Sequence, residues 1–210
     1  MALMPCMNPL APYRRPLLAL ARRSIEQTLH AADQAQCRSP PGELRGNWPV
    51  ALNESRASFV TLYAGDQLRG CCGTLVATRP IGEDVWRNAW ASAFADPRFP
   101  PLMSDEWSGL QVHISVLSPL ERIDVDSEQM LLATLRPHVD GLVLDYGGSR
   151  ATFLPAVWEQ ITDPTRFVMC LKQKAGWHAN FWSTQVKVWR YTTDSFGDHD
   201  VVGHSEGGDE

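Results

Sequence analysis

One stretch of this chain has a spacing that points to chemistry: Leu68-Arg69-Gly70-Cys71-Cys72-Gly73. It follows a strand-like run, Phe59-Val60-Thr61-Leu62-Tyr63, across the turn signal Ala64-Gly65-Asp66-Gln67. Phe59 to Val76 therefore reads as a β-hairpin. Alternation along the second strand puts Arg69 and Cys71 on one face and Leu68, Gly70 and Cys72 on the other. A guanidinium two residues from a thiol on one face stabilises the thiolate. Cys71 is thus the candidate catalytic group, with Arg69 beside it. Gly70 and Gly73 pack nothing in a strand, so they mark a bulge or the close approach of another group. The plainer alternative makes both thiols small buried hydrophobes next to a structural arginine. No metal is expected: CxxC spacing is absent, and adjacent cysteines are poor zinc ligands by themselves.

Three further places could take part. Asp96 and Arg98 lie in Asp96-Pro97-Arg98-Phe99-Pro100-Pro101, where they could pair, cap a helix or face a cleft. His113 shares a strand face with Ser115, and would serve as a base for Cys71 if their strands are neighbours. Gly147-Gly148-Ser149-Arg150 could cradle an anion, but it has no phosphate-loop context and reads first as a hairpin turn.

The elements that must position these groups follow from periodicity. Pro16 fits a helix start, and Leu18, Ala21, Ile25, Leu29 and Ala32 continue at helical spacing. Residues 35–55, with Ser39-Pro40-Pro41-Gly42, read as a long connection. Ile81 to Ala95 is a helix with Val85, Ala89 and Ala93 on its stripe; Pro97 and Pro100 end it. Gln111 to Ser118 alternates as a strand with Val112, Ile114 and Val116 inward. Ser127 to Leu135 is a short helix capped by Ser127. Gly141 to Tyr146 and Arg150 to Leu154 form a second hairpin. Pro155 opens a helix through Ile161, and Asp163-Pro164 starts another that ends at Gly176. Lys172 and Lys174 suit that helix's last turn. Val186 to Tyr191 is a final strand. Residues 1–15 read as a disordered leader and 197–210 as a disordered acidic tail.

Composition bounds the function. A 44% hydrophobic, 20% charged chain of 210 residues fits one ordinary globular domain, or a domain with a smaller lobe. The net charge of −5 argues against a general phosphate-backbone binder, so nucleic acid is not the expected partner. Five cysteines without a framework spacing favour a reducing compartment. With no secretory signal and no apolar run long enough for a bilayer, the expectation is cytoplasmic and without a membrane.

The signature resembles the Leu-Arg-Gly-Cys-Ile-Gly motif of the AMMECR domain family, also called AmmeMemoRadiSam system protein A. Other landmarks follow in the family order: Phe59-Val60-Thr61-Leu62, Ala93 to Phe99, Ile114 to Ser118, Phe153-Leu154-Pro155 and Lys174-Ala175-Gly176. The likeness covers about residues 16–196. Cys72 stands where the family has Ile, and His113 where it tends to carry an acidic side chain. The alternation of hairpins and helices without a βαβ rhythm gives α+β with a mainly antiparallel sheet flanked by helices. The resemblance implies the same, in two unequal lobes with a cleft between them. It also implies association with Memo-like and radical SAM proteins, and it allows Lys174 a place in that cleft. The family has no firmly established reaction, and no cofactor is specified. A CxxxCxxC-type cluster site is absent, so the chain is not itself a radical SAM enzyme by that measure. Three readings follow: a pathway partner or component, a thiol-dependent enzyme acting on a small molecule through Cys71, and a regulatory or nucleic-acid-binding module.

Overall fold

Apolar residues at helical spacing after Pro16 place a helix at the start of the chain, and the computed structural model, which describes residues 10–32 and 34–202, shows it as α1, Arg14–Leu29. Short helical turns follow in the expected long connection: Gln34–Arg38, α2 at Gly42–Gly46, and Val50–Asn53. Then come β1 (Ser58–Ala64), β2 (Gln67–Gly73), α3 (Ile81–Phe94) and β3 (Leu110–Leu117). The middle of the chain gives β4 (Glu121–Ile123), α4 (Glu128–Thr134), β5 (Gly141–Tyr146), β6 (Ser149–Phe153), α5 (Pro164–Lys174) and β7 (Lys187–Tyr191). It closes with β8 (Thr193–Gly197) and α6 (Asp198–Val202). The fold is α+β, but with two four-stranded antiparallel sheets where one was expected. Contacts divide the chain into two compact units, Leu117–Thr193 and the remainder.

In the unit holding the signature, the strand order is β2-β1-β3-β8. One face of this sheet is apolar by strict alternation: Val60, Leu62, Val112 and Ile114 are all fully buried. They meet Leu17, Ala21 and Ile25 of α1 and Val85, Ala89 and Ala93 of α3 in one core. Each of the Val, Leu and Ile side chains contributes about 1.5–3 kcal/mol by leaving water.

The chain's return to this sheet is where sequence and structure part. Disorder was expected from residue 197, yet Gly197 ends β8 and residues 198–202 are helical. The polar composition hides two anchors. Phe196 is 1% exposed in the core. Asp198 accepts the Val112 N–H at 2.7 Å and Arg22 Nε at 3.0 Å. At the other end, the expected leader includes Leu10, which is buried, and a helical turn at Ala11–Tyr13. Residues 1–9 and 203–210 lie outside the described residues.

The second unit has strand order β4-β7-β5-β6. Leu142, Leu144 and Val188 pack with Phe167, Val168 and Leu171 of α5, and Trp158 stacks on Phe167 at 3.8 Å. Ser127 and Asp163 cap α4 and α5 by accepting the N–H groups of Met130 and Arg166. The helix expected from Pro155 is a single 3-10 turn, Pro155–Glu159. Gly176, at φ 79°, takes the left-handed position that ends α5.

Candidate functional site

β2 is an edge strand paired with β1, and its register holds Thr61 opposite Cys71, Val60 opposite Cys72 and Leu62 opposite Gly70. Leu68 then pairs with Tyr63, which leaves Arg69 as the extra residue of a bulge. The bulge corrects the expected face assignment. Leu68 lies on the Tyr63 side and is 39% exposed, not in the core with Cys72. Gly70 and Cys72 face α3. The helix comes so close there that a Cβ on Gly70 would sit 2.1 Å from the Ser92 carbonyl oxygen. A Cβ on Gly73 would meet the Phe59 ring at 2.3 Å. Both glycines are therefore required by contact, as their occurrence in a strand suggests.

Ser92 takes part in the ladder itself. Its hydroxyl accepts the Cys72 N–H at 2.8 Å and lies 2.7 Å from the Val60 carbonyl. A helix side chain thus bridges two residues that are opposed in the β1–β2 register. Ser58, Thr74 and Asn88 converge on the fully buried carboxylate of Asp84 just beyond, pinning the end of the hairpin to α3. Burial raises the pKa of Asp84, and the Ser58 and Thr74 donors and the charge of Arg79 pull it back.

The outer edge of β2 is covered by the segment after α3. Asp96 Oδ2 accepts the Cys71 N–H at 2.9 Å, and an Arg98 Nη2 donates to the Cys71 carbonyl at 3.2 Å. Asp96 and Arg98 also pair with each other at 2.7 Å. These hydrogen bonds hold the Asp96 carboxyl well below the usual carboxylate range. Together the two residues occupy the edge hydrogen-bonding groups at Cys71, as a neighbouring strand would. Of the three roles open to them, pairing with each other is present, and they also bind β2.

Arg69 does not point its charge at the thiol. Its Nε and Nη2 bond Glu106 at 2.7 and 3.0 Å, and Nη2 also donates to the Pro100 carbonyl. This fork keeps the Glu106 carboxyl below its ordinary range. The guanidinium groups of Arg69 and Arg98 both lie over the Phe99 ring, 5.9 and 5.5 Å from its centre. The Arg69 side chain is only 12% exposed, and its Nη1 is buried without a hydrogen-bond partner. A buried donor of that kind costs about 1–3 kcal/mol. The expected stabilisation of the thiolate by Arg69 thus gives way to tethering of the loop, because the bulge turns the side chain toward the strand edge.

Cys71 projects from the other face of the sheet with Thr61. The Thr61 hydroxyl donates to Cys71 Sγ at 3.3 Å. His113 follows in the same row, because Thr61 is opposite both Cys71 and His113. The two strands flank β1 and do not pair with each other, so about 9–10 Å separates their backbones. His113 is therefore not in hydrogen-bond reach of Cys71; Thr61 stands between them. The imidazole packs edge-on to Tyr63 at 5.4 Å, and Gly197 makes room for it: a Cβ there would lie 2.6 Å from the ring. Ser115 lies in the next row and bonds Ser195 at 2.8 Å. Cys72 differs from Cys71. Burial, then the charge of Asp96, pushes its thiol up. Among the described residues, no three His, Cys, Asp or Glu groups gather as a metal site, and none of the four described cysteines is in a disulfide.

The chain that carries this edge strand, with Gly70 against α3, has relatives. The AMMECR1 family model matches residues 18–196. The chain belongs to the AMMECR1 family. A protein of Methanothermobacter thermautotrophicus is 32% identical over 87% of this chain and 92% of its own length. Protein PH0010 of Pyrococcus horikoshii is 33% identical over 86% of this chain and 87% of its own. The crystal structure of that uncharacterized protein superposes with a TM-score of 0.78 at 30% identity, covering 89% of this chain and 91% of the other.

Within the AMMECR1 domain, the expected site residues separate into groups. Arg69, Gly70, Cys71, Gly73, Asp96 and Arg98 come together around β2. His113 and Ser115 lie on β3, across β1 from it. Lys174 belongs to the other unit, where its ammonium donates to the Thr152 carbonyl at 3.1 Å and lies over the Phe153 ring. Gly147 and Gly148, at φ 60° and 83°, form the tight turn of the β5–β6 hairpin. Sequence reasoning missed Thr61, Ser92 and Glu106. Thr61 was recoverable once the hairpin register was known. Ser92 and Glu106 had no signal of their own. No helix among the described residues is long and apolar enough to cross a membrane.

Proposed function

We propose that this AMMECR1-family protein is a component of a modification pathway, working beside a Memo-like protein and a radical SAM enzyme, and that Cys71 is the group it brings to that pathway. The partners are those the resemblance implies. The observation that carries the role of Cys71 is its mounting: the N–H is held by Asp96, the carbonyl by Arg98 and the sulfur by Thr61. A residue fixed at all three groups presents its thiol in one orientation, which is what a working group needs. Arg69, Gly70, Gly73, Asp96 and Arg98 then act as positioning residues. A reducing compartment, the cytoplasm, keeps that thiol free.

The Thr61 hydroxyl favours a second reading, in which Cys71 is the nucleophile of an enzyme acting on a small molecule. The bond this hydroxyl donates, at 3.3 Å, holds the sulfur in one orientation, as a nucleophile needs. The two readings separate in one experiment. Tagged wild-type protein and Cys71→Ser are expressed in a deletion strain and assayed for recovery of Memo-like and radical SAM proteins and for rescue of the strain. The partner reading expects Cys71→Ser to retain the partners and lose rescue. Absence of both partners from the wild-type protein overturns it and leaves the small-molecule enzyme.

A further inference from the structure

The outer face of the sheet β2-β1-β3-β8 has an arrangement of its own around Thr61. Alternation gives this face Phe59, Thr61 and Tyr63 of β1 and His113 and Ser115 of β3, all half-buried, while Val60, Leu62, Val112 and Ile114 fill the core. Cys71 joins them from β2, opposite Thr61. Small side chains, Thr61, Cys71 and Ser115, thus sit among the rings of Phe59, Tyr63 and His113. Two of these rings stand aside. Phe59 leans to β2 and fills the place of a Gly73 side chain, its ring 2.3 Å from that Cβ position. His113 leans the opposite way, to β8, and fills the place of a Gly197 side chain at 2.6 Å. A glycine on each flanking strand makes the room.

Cys71 and His113 flank Thr61 on opposite sides, with about 9–10 Å between their backbones. That is too far for a direct bond and short enough for one small molecule to span. Among the described residues the imidazole has its edge-on contact with Tyr63 but no hydrogen-bond or ion-pair partner, so its N–H is open to an oxygen. The spacing selects the electrophile. An aldehyde or ester has its reacting carbon and its oxygen in one group and cannot meet both residues. An α,β-unsaturated carbonyl reacts at a carbon two bonds removed from the carbonyl carbon, so it reaches from thiol to imidazole. It is also flat, which suits a place bordered by rings. Rings with a few polar groups between them are the usual make-up of a small-molecule site.

On the reading that Cys71 is the working group, we infer that it acts on a flat, ring-bearing α,β-unsaturated carbonyl compound, seated between Phe59 and Tyr63 with its oxygen toward His113. The sulfur bonds the β-carbon, the alkene electron pair moves to the carbonyl oxygen as an enolate, and the thiol proton ends on the α-carbon. Nothing is oxidised or reduced and no co-reactant enters; the product is the Cys71 thioether. The test uses the full chain with benzylideneacetone, with 3-penten-2-one as the same enone without its ring, and with iodoacetamide. Peptide mapping follows adducts at Cys71 and Cys72, and each enone rate is divided by its rate with glutathione to remove intrinsic reactivity. Benzylideneacetone is expected to modify Cys71 with a rate that saturates, at least about tenfold faster on this scale than pentenone. Phe59→Leu and His113→Leu, each checked by thermal melt, should lower the benzylideneacetone-to-iodoacetamide rate ratio at Cys71 about three- to tenfold. A rate linear in concentration without ring preference in the wild type overturns the inference, as does a preference that neither substitution reduces. Complementation separates this from the reading beneath it. A Cys71→Ser protein that rescues a deletion strain removes both, whereas failed rescue with no ring preference removes the substrate class alone.

Discussion

At the scale of single residues, the two adjacent thiols are set apart by what surrounds them. Cys71 shares the Thr61 face, and Cys72 faces α3 with its thiol pushed up by burial and by Asp96. Cys71 should therefore alkylate faster than Cys72 at mildly alkaline pH. Mass-spectrometric mapping of iodoacetamide adducts over time checks this, and equal rates would count against it. Arg69 makes a different kind of contribution. Removing its fork with Arg69→Ala strands the Glu106 carboxylate and frees the loop it holds. The expected cost is about 1–3 kcal/mol, read by thermal melt, with faster hydrogen exchange at residues 100–106. Arg69→Lys should recover only part of it, because an ammonium cannot bond both carboxylate oxygens and the Pro100 carbonyl in the same geometry. The expected pairing of Arg69 with the thiol was legible as two residues on one face. What alternation could not show is the bulge, which depends on the β1 register and not on β2 alone.

Between elements, the site is a junction of β1, β2, α3 and the segment that leaves α3. Gly70→Ala tests its tightest point. With the Ser92 carbonyl 2.1 Å from the added carbon, helix or strand must move, and a loss of more than about 2 kcal/mol is expected in a melt. Asp96 gives the same junction a pH dependence. Its folded-state pKa is depressed, so its stabilising effect is present above the unfolded carboxylate value of about 3.9 and declines as pH falls below it. Glu106 acts in the same direction. Between about pH 5 and pH 3 the wild-type melting temperature should fall more steeply than that of Asp96→Asn, which is less stable at neutral pH. The strands and helices here were legible because their apolar residues keep a strict period: Val60 and Leu62, Val112 and Ile114, Val85 and Ala89. β8 and α6 were not, since Phe196 and Asp198 are isolated anchors in a polar segment, and no periodicity marks a strand held by one aromatic ring and one carboxylate.

For the molecule as a whole, the α+β class followed from the order of hairpins and helices, while the division into two sheets did not. Short strands of either sheet carry the same alternation, and only pairing decides which sheet they join. The central claim is that the signature serves two ends. Arg69, Gly70, Cys72 and Gly73 are engaged in holding β2 to its neighbours, and Cys71 alone offers a reactive group. The most direct measurement compares Cys71→Ser and Cys72→Ser, each by thermal melt and by complementation of a deletion strain. Both variants should melt within about 1 kcal/mol of the wild type in stability, since each exchanges one atom in a half-buried side chain. Cys71→Ser should fail to complement and Cys72→Ser should succeed. A folded Cys71→Ser protein that complements fully would contradict the account and return both thiols to packing.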